Sequence, residues 1–63
     1  MGTPMKLLTR VFEFGTDNIL ATYPDMLKLV KVGQDFYIGQ VRHVVVAAWK
    51  VGEGLMHIYV RKA

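Results

Sequence analysis

The chain has 63 residues, 52% of them apolar and 21% charged, with eight Lys or Arg against five Asp or Glu and a net charge of +3. That length makes one domain with a marginal core, because a domain of about 60 residues buries only about 60% of the surface its unfolded form exposes. There is no cysteine, which excludes disulfide staples and thiolate zinc sites, and no stretch reaches the roughly 18 apolar residues that a membrane helix needs.

In chain order, residues 1–4 read as an N-terminal tail or a vector-derived remnant, and residues 5–63 as a single small β domain. "KLLTRVFEF" (residues 6–14) is the first predicted strand, and "ILATY" (Ile19–Tyr23) is its hairpin partner across "GTDN". In that turn Gly15 and Asn18 can take positive φ, and Asp17 can brace the loop through its own side chain. "PDMLKLVKVG" is open between two readings. Pro24 and Asp25 suit the start of a short helix near residues 24–30, with Met26, Leu27, Leu29 and Val30 on one face; "LKLVKV" also reads as a strand. Beyond it the pattern is firmer: "DFYI" (Asp35–Ile38) is a short strand, "GQ" a tight connection, "VRHVVVAAWKV" (residues 41–51) a long strand, "GEG" a turn, and "LMHIYVRK" (Leu55–Lys62) the last strand. Short β-prone runs with glycine punctuation spell an all-β fold: a small, five-stranded, strongly curved sheet or barrel.

In the long strand, Arg42, Val44, Val46, Ala48 and Lys50 share one side, and His43, Val45, Ala47, Trp49 and Val51 the other. Both sides are apolar in the middle, which predicts a strand at the centre of the sheet, covered on both faces. The register of the last hairpin turns on its loop. A three-residue turn over residues 52–54 pairs Val51 with Leu55. Met56, Ile58 and Val60 then join Ala48, Val46 and Val44 in a core patch, while Trp49 sits beside His57, Ala47 beside Tyr59 and Val45 beside Arg61. A two-residue turn at Gly52 and Glu53 exchanges the faces. The three-residue turn is preferred, because it places Gly54 where a left-handed residue is required.

The preferred register leaves Trp49, His57, Tyr59 and Arg61 on a second, amphipathic face. Together with Arg42, Lys50 and Lys62 they form the candidate binding surface. Rings flanked by cations suit protein contacts, where Trp, Tyr and Arg are common anchors. They also suit stacking on unpaired bases, and Trp49 and Tyr59 could equally be core or dimer-interface rings with a polar tip outward. His43 and His57 fall near opposite ends of the last hairpin, too far apart to share a ligand, and each reads as a solvent-facing or hydrogen-bonded histidine.

Catalytic chemistry lacks its parts. The chain has no serine as well as no cysteine. Thr3, Thr9, Thr16 and Thr22 have no suggestive His or Lys beside them. Glu13, Asp17, Asp25, Asp35 and Glu53 mostly fall in turns, where they cap and brace. "VGQDFYIG" and "GEG" lack the helix start and lysine of a phosphate loop. No catalytic residue, metal ligand or cofactor is expected, and the chain is not expected to be an enzyme.

The run "VGQDFYIG", then "VRHVVVAAW", then "GLMHIYV" resembles the texture of SH3-like small β-barrels, in particular short accessory proteins of phage and prophage type. The likeness spans residues 32–60, and it departs from the pattern where Gln34 stands directly after the glycine, with Asp35 following. It implies a small binding or assembly module that works through protein-protein contacts. The alternative is a nucleic-acid binder using the aromatic and basic face. A chain this small and this apolar is also expected to self-associate, most simply as a homodimer. It is expected in the cytoplasm, with no membrane attachment.

Overall fold

The computed structural model describes residues 7–25, 27 and 30–63. Among these the fold is all-β, with β1 (Leu8–Glu13), β2 (Ile19–Tyr23), β3 (Asp35–Ile38), β4 (Val41–Gly52) and β5 (Leu55–Lys62). The strands form one sheet in the order β2-β1-β5-β4-β3. Neighbours pair antiparallel except β1 and β5, which run parallel. No helix occurs among the described residues, and so none there is long and apolar enough to cross a membrane. The expected short helix near 24–30 falls on a stretch where Pro24 and Asp25 form a bend and Met26, Lys28 and Leu29 lie outside the described residues; so does the expected tail at residues 1–4.

Strand alternation sorts the side chains. Thr9 and Val11 of β1, Val45 of β4 and Met56, Ile58 and Val60 of β5 point to one side and are buried; Val11, Ile58 and Val60 are 0% exposed. Ala21, Tyr23, Phe36, Ile38 and Ala48 pack around them. Each fully buried Val or Ile is worth roughly 1.5–3 kcal/mol of transfer free energy, so this short list carries much of the stability of a small domain. The sheet curls around the core until its edge strands meet: the rings of Tyr23 on β2 and Phe36 on β3 lie edge to face at 6.1 Å. The core side is therefore the concave side of a half-barrel.

From the connection between β2 and β3, Leu27 and Val30 pack on the core. Thr9 pins that connection. Its buried hydroxyl donates to the Asp25 carbonyl and accepts the Leu27 N–H at 3.0 Å, so the polar atom at the centre of an apolar floor is satisfied.

Two features correct the sequence reading. First, β5 rather than β4 is the central strand, because β1 docks parallel on the free side of β5. The valine-rich run lies inside the sheet, but only its concave side is fully covered: Val45 is 1% exposed, whereas Val44, Val46 and Ala47 behind it are half-buried and Trp49 is 49% exposed. Second, the hairpin register follows the preferred alignment from Ala47 to Lys50, with Ala47 opposite Tyr59, Ala48 opposite Ile58 and Trp49 opposite His57. The route differs. Gly52 pairs with Leu55, Val51 is left as a bulge, and Gly54 supplies the left-handed residue at φ 78°. A second bulge at Val46 then shifts the frame, so that Val45 faces Val60 in the core position expected for Val46, and His43 faces Lys62 in the position expected for Val44.

β4 also outruns its outer neighbour. β3 pairs with residues 41–44, and two further bonds reach Val45, from the Gly33 N–H to its carbonyl at 2.8 Å and from its own N–H to the Gln34 carbonyl at 3.0 Å. Among the described residues, no strand lies along that edge beside residues 46–52.

Candidate functional site: the convex aromatic face

The alternation that turns Met56, Ile58 and Val60 inward turns Leu55, His57, Tyr59 and Arg61 outward. The parallel register brings Phe12 of β1 beside Tyr59 and Arg10 beside His57. The antiparallel register brings Ala47 and Trp49 of β4 to the other side. Three rings from three adjacent strands therefore form a ladder. Phe12 and Tyr59 stack at 5.0 Å and 16°, and Tyr59 and Trp49 at 4.9 Å and 19°. Tyr59 is sandwiched, with one neighbour on each face. Such pairs contribute about 0.5–1.5 kcal/mol beyond area burial.

His57 completes the ladder, edge to face with Phe12 at 4.7 Å and 61°. Its Nε2 is buried without a hydrogen-bond partner. Burial, and secondly the positive charge of Arg10, hold its pKa below the ordinary value of 6.5. The shift favours the neutral ring, which packs as a fourth aromatic member.

At the β4 end of the ladder lies a depression of about 390 Å³, lined by Phe14, Gly15, Thr16 and Asp17 from the β1–β2 turn and by Ala47, Trp49 and Tyr59 from the sheet. Gly15, at φ 87°, lets the chain reverse over the face. The turn is braced onto Glu13: the Thr16 hydroxyl donates to the Glu13 carbonyl at 3.1 Å and to its carboxylate at 3.3 Å, and the Asn18 amide donates to the same carboxylate at 3.4 Å. The Asn18 N–H donates in turn to the Thr16 hydroxyl at 3.1 Å. Thr16 and Asn18 thus do the bracing expected of Asp17, and Asn18 does not adopt positive φ.

The sequence-derived surface is divided by the sheet. Trp49, His57, Tyr59 and Arg61 share the convex face, and so does Arg42, which pairs with Tyr37 one step from the Val44–Arg61 pair. Lys50 pairs with Met56 and Lys62 with His43, which puts both at concave-side register positions on exposed strand ends. His43 is also concave, 7% exposed, with Nδ1 at 3.1 Å from the Val41 carbonyl. The two histidines therefore lie on opposite faces. Sequence reasoning missed Phe12, Phe14 and Asp17. The two-residue spacing of Phe12 and Phe14 signals a shared side of β1, but nothing local signals that β1 lies beside β5. Among the described residues, no three His, Cys, Asp or Glu gather to hold a metal ion. Comparison with protein-family models, with curated proteins and with solved structures returns no match.

Proposed function

We propose that this chain is a non-enzymatic binding or assembly module of the cytoplasm that works through protein-protein contacts, with the convex aromatic face as its contact surface. The observation that carries the reading is an apolar surface left open beside a rigid ladder: Trp49 is 49% exposed and Phe14 55% exposed. Aromatic rings held at low entropic cost and edged by arginines, here Arg10, Arg42 and Arg61, have the composition of interface hot spots. Packing Trp49 and Phe14 against a partner removes apolar area that the small concave core has no room to take. The backbone of residues 46–52, beside Trp49, adds hydrogen-bonding groups that an extended partner segment can use. A second copy of the chain is the simplest partner, as expected of a domain with so small a core. Kinship with small phage-type accessory barrels belongs to the same proposal.

The face suits protein better than nucleic acid. A base-stacking platform offers ring faces to solvent, whereas both faces of Tyr59 are taken by Phe12 and Trp49. Lys50 and Lys62 also sit on the other side of the sheet.

The test is sedimentation of the wild-type chain and of Trp49→Ala over a wide concentration range, with gel shifts of labelled single strands at low and high salt. Concentration-dependent dimers that Trp49→Ala weakens are the expected result. A monomer mass at every concentration removes the homodimer. Tight single-strand binding that falls steeply with salt replaces the protein-contact reading with the nucleic-acid one.

A further inference from the structure

We infer that the depression beside Trp49 is a receptor for a basic side chain, a lysine or arginine on a partner protein, with Asp17 as its counter-charge. The inference rests on the contact-face reading above and names the chemistry of the group that the face takes.

Three features point the same way. The lining offers ring surface from Phe14 and from the face of Trp49 turned away from Tyr59, and the small side chain of Ala47 leaves room between them. Aromatic rings attract cations through their quadrupole, and Trp is the strongest of them. Asp17 is the one ionisable group in that lining apart from the Tyr59 phenol. One carboxylate oxygen of Glu13, close by in the same turn, accepts from both Thr16 and Asn18, and Asp17 enters neither bond. The site therefore presents a negative charge set against ring surface. A neutral apolar group would strip water from the carboxylate without replacing its hydrogen bonds. A group with an alkyl stem and a cationic head satisfies both parts, the stem against the rings and the head at Asp17.

The third feature is preorganisation. The turn that carries Phe14 and Asp17 is held by the hydrogen bonds onto Glu13, and the opposite wall is fixed by the stack of Trp49 on Tyr59. The walls are in place before the ligand arrives, so little ordering entropy is spent on binding.

The experiment is an NMR titration of the isotope-labelled full chain with three probes: the Nα-acetyl methylamides of lysine, arginine and norleucine, the last matching the lysine stem without its charge. Lysine and arginine are expected to shift the amides of Gly15, Thr16, Asp17 and Ala47 and the Trp49 indole N–H in a saturable way. Norleucine is expected to bind about fivefold more weakly, the scale of one exposed ion pair. Asp17→Asn, whose spectrum elsewhere reports that it folds, is expected to erase the difference between lysine and norleucine. Equal binding of lysine and norleucine overturns the inference, as does an unshifted turn with every probe at about 100 mM, far above useful affinity. The two readings fail separately. If Trp49→Ala weakens self-association while the charged probes show no preference, the contact face stands and the cation receptor falls. If the probes bind selectively while the chain stays monomeric, the receptor stands and the homodimer falls.

Discussion

The two sides of β5 are made by one strand, one alternation and neighbours on the same flanking strands, yet they solve different problems. On the concave side Met56, Ile58 and Val60 are sealed to 7% exposure or less, with Val11, Val45, Leu27 and Val30 in the same core. On the convex side His57 and Tyr59 are only half-buried, and the coverage comes from other rings rather than from a second layer. A domain this small has enough chain to roof one side of its sheet. Val11, Val45, Ile58 and Val60 fill that side, while Phe12, Trp49 and Tyr59 order one another by stacking on the side that has no roof.

The sharpest way to break that contrast is to truncate one residue on each side. Ile58→Ala, at 0% exposure, is expected to cost about 2–5 kcal/mol in urea unfolding, enough to populate the unfolded chain strongly. Tyr59→Ala is expected to cost less, about 1–3 kcal/mol, because it removes two stacking contacts and a half-buried ring without opening a sealed cavity. If Tyr59→Ala proves the costlier, the aromatic face is a second core and the division of labour is wrong.

Next in size is Thr9→Val, which keeps the shape of the side chain and deletes the hydroxyl that serves both Asp25 and Leu27. The expected loss is about 1–3 kcal/mol, from the partly buried Leu27 N–H left without its acceptor. Hydrogen exchange at Leu27 is expected to speed up by more than that at Ile58. Smaller again is Trp49→Ala, on the exposed side, expected to cost below about 1 kcal/mol in a monomer's unfolding and to weaken the proposed self-association in sedimentation.

The smallest effect is carried by His57. Its pKa lies below 6.5 in the folded chain, through burial first and Arg10 second. Between the folded and unfolded values the unfolded chain binds more protons, so stability falls as pH drops below about 6.5 and levels off below the folded pKa; above 6.5 this contribution is constant. His57→Phe is expected to flatten that acid limb and to raise stability slightly at neutral pH, since it removes an Nε2 that has no partner. An acid limb unchanged in His57→Phe would assign the pH dependence elsewhere.

The strands were legible because their signals are local. β-branched and aromatic runs between Gly15, Gly33, Gly39 and Gly54 mark β1 to β5 within a residue or two, and all four glycines take positive φ. The grouping of Trp49, His57 and Tyr59 was legible too, through the preferred hairpin register. The bulge at Val46 was not, since nothing in "VVVAA" tells which valine is the extra one; the three are alike until Val60 and the curl of the sheet choose Val45.

By itself, then, the sequence determined the class, the strands and the alternation along each of them, because φ/ψ preference and side-chain period are properties of a few adjacent residues. The tertiary structure alone decided that β1 lies parallel to β5, and with it that Phe12 and Tyr59 stack, that Arg10 faces His57, and that the β1–β2 turn brings Asp17 to Trp49. Pairing between strands more than 40 residues apart is chosen by which arrangement buries Val11 against Ile58 while leaving the rings outside. That choice is made by the whole core at once, and no local stretch encodes it.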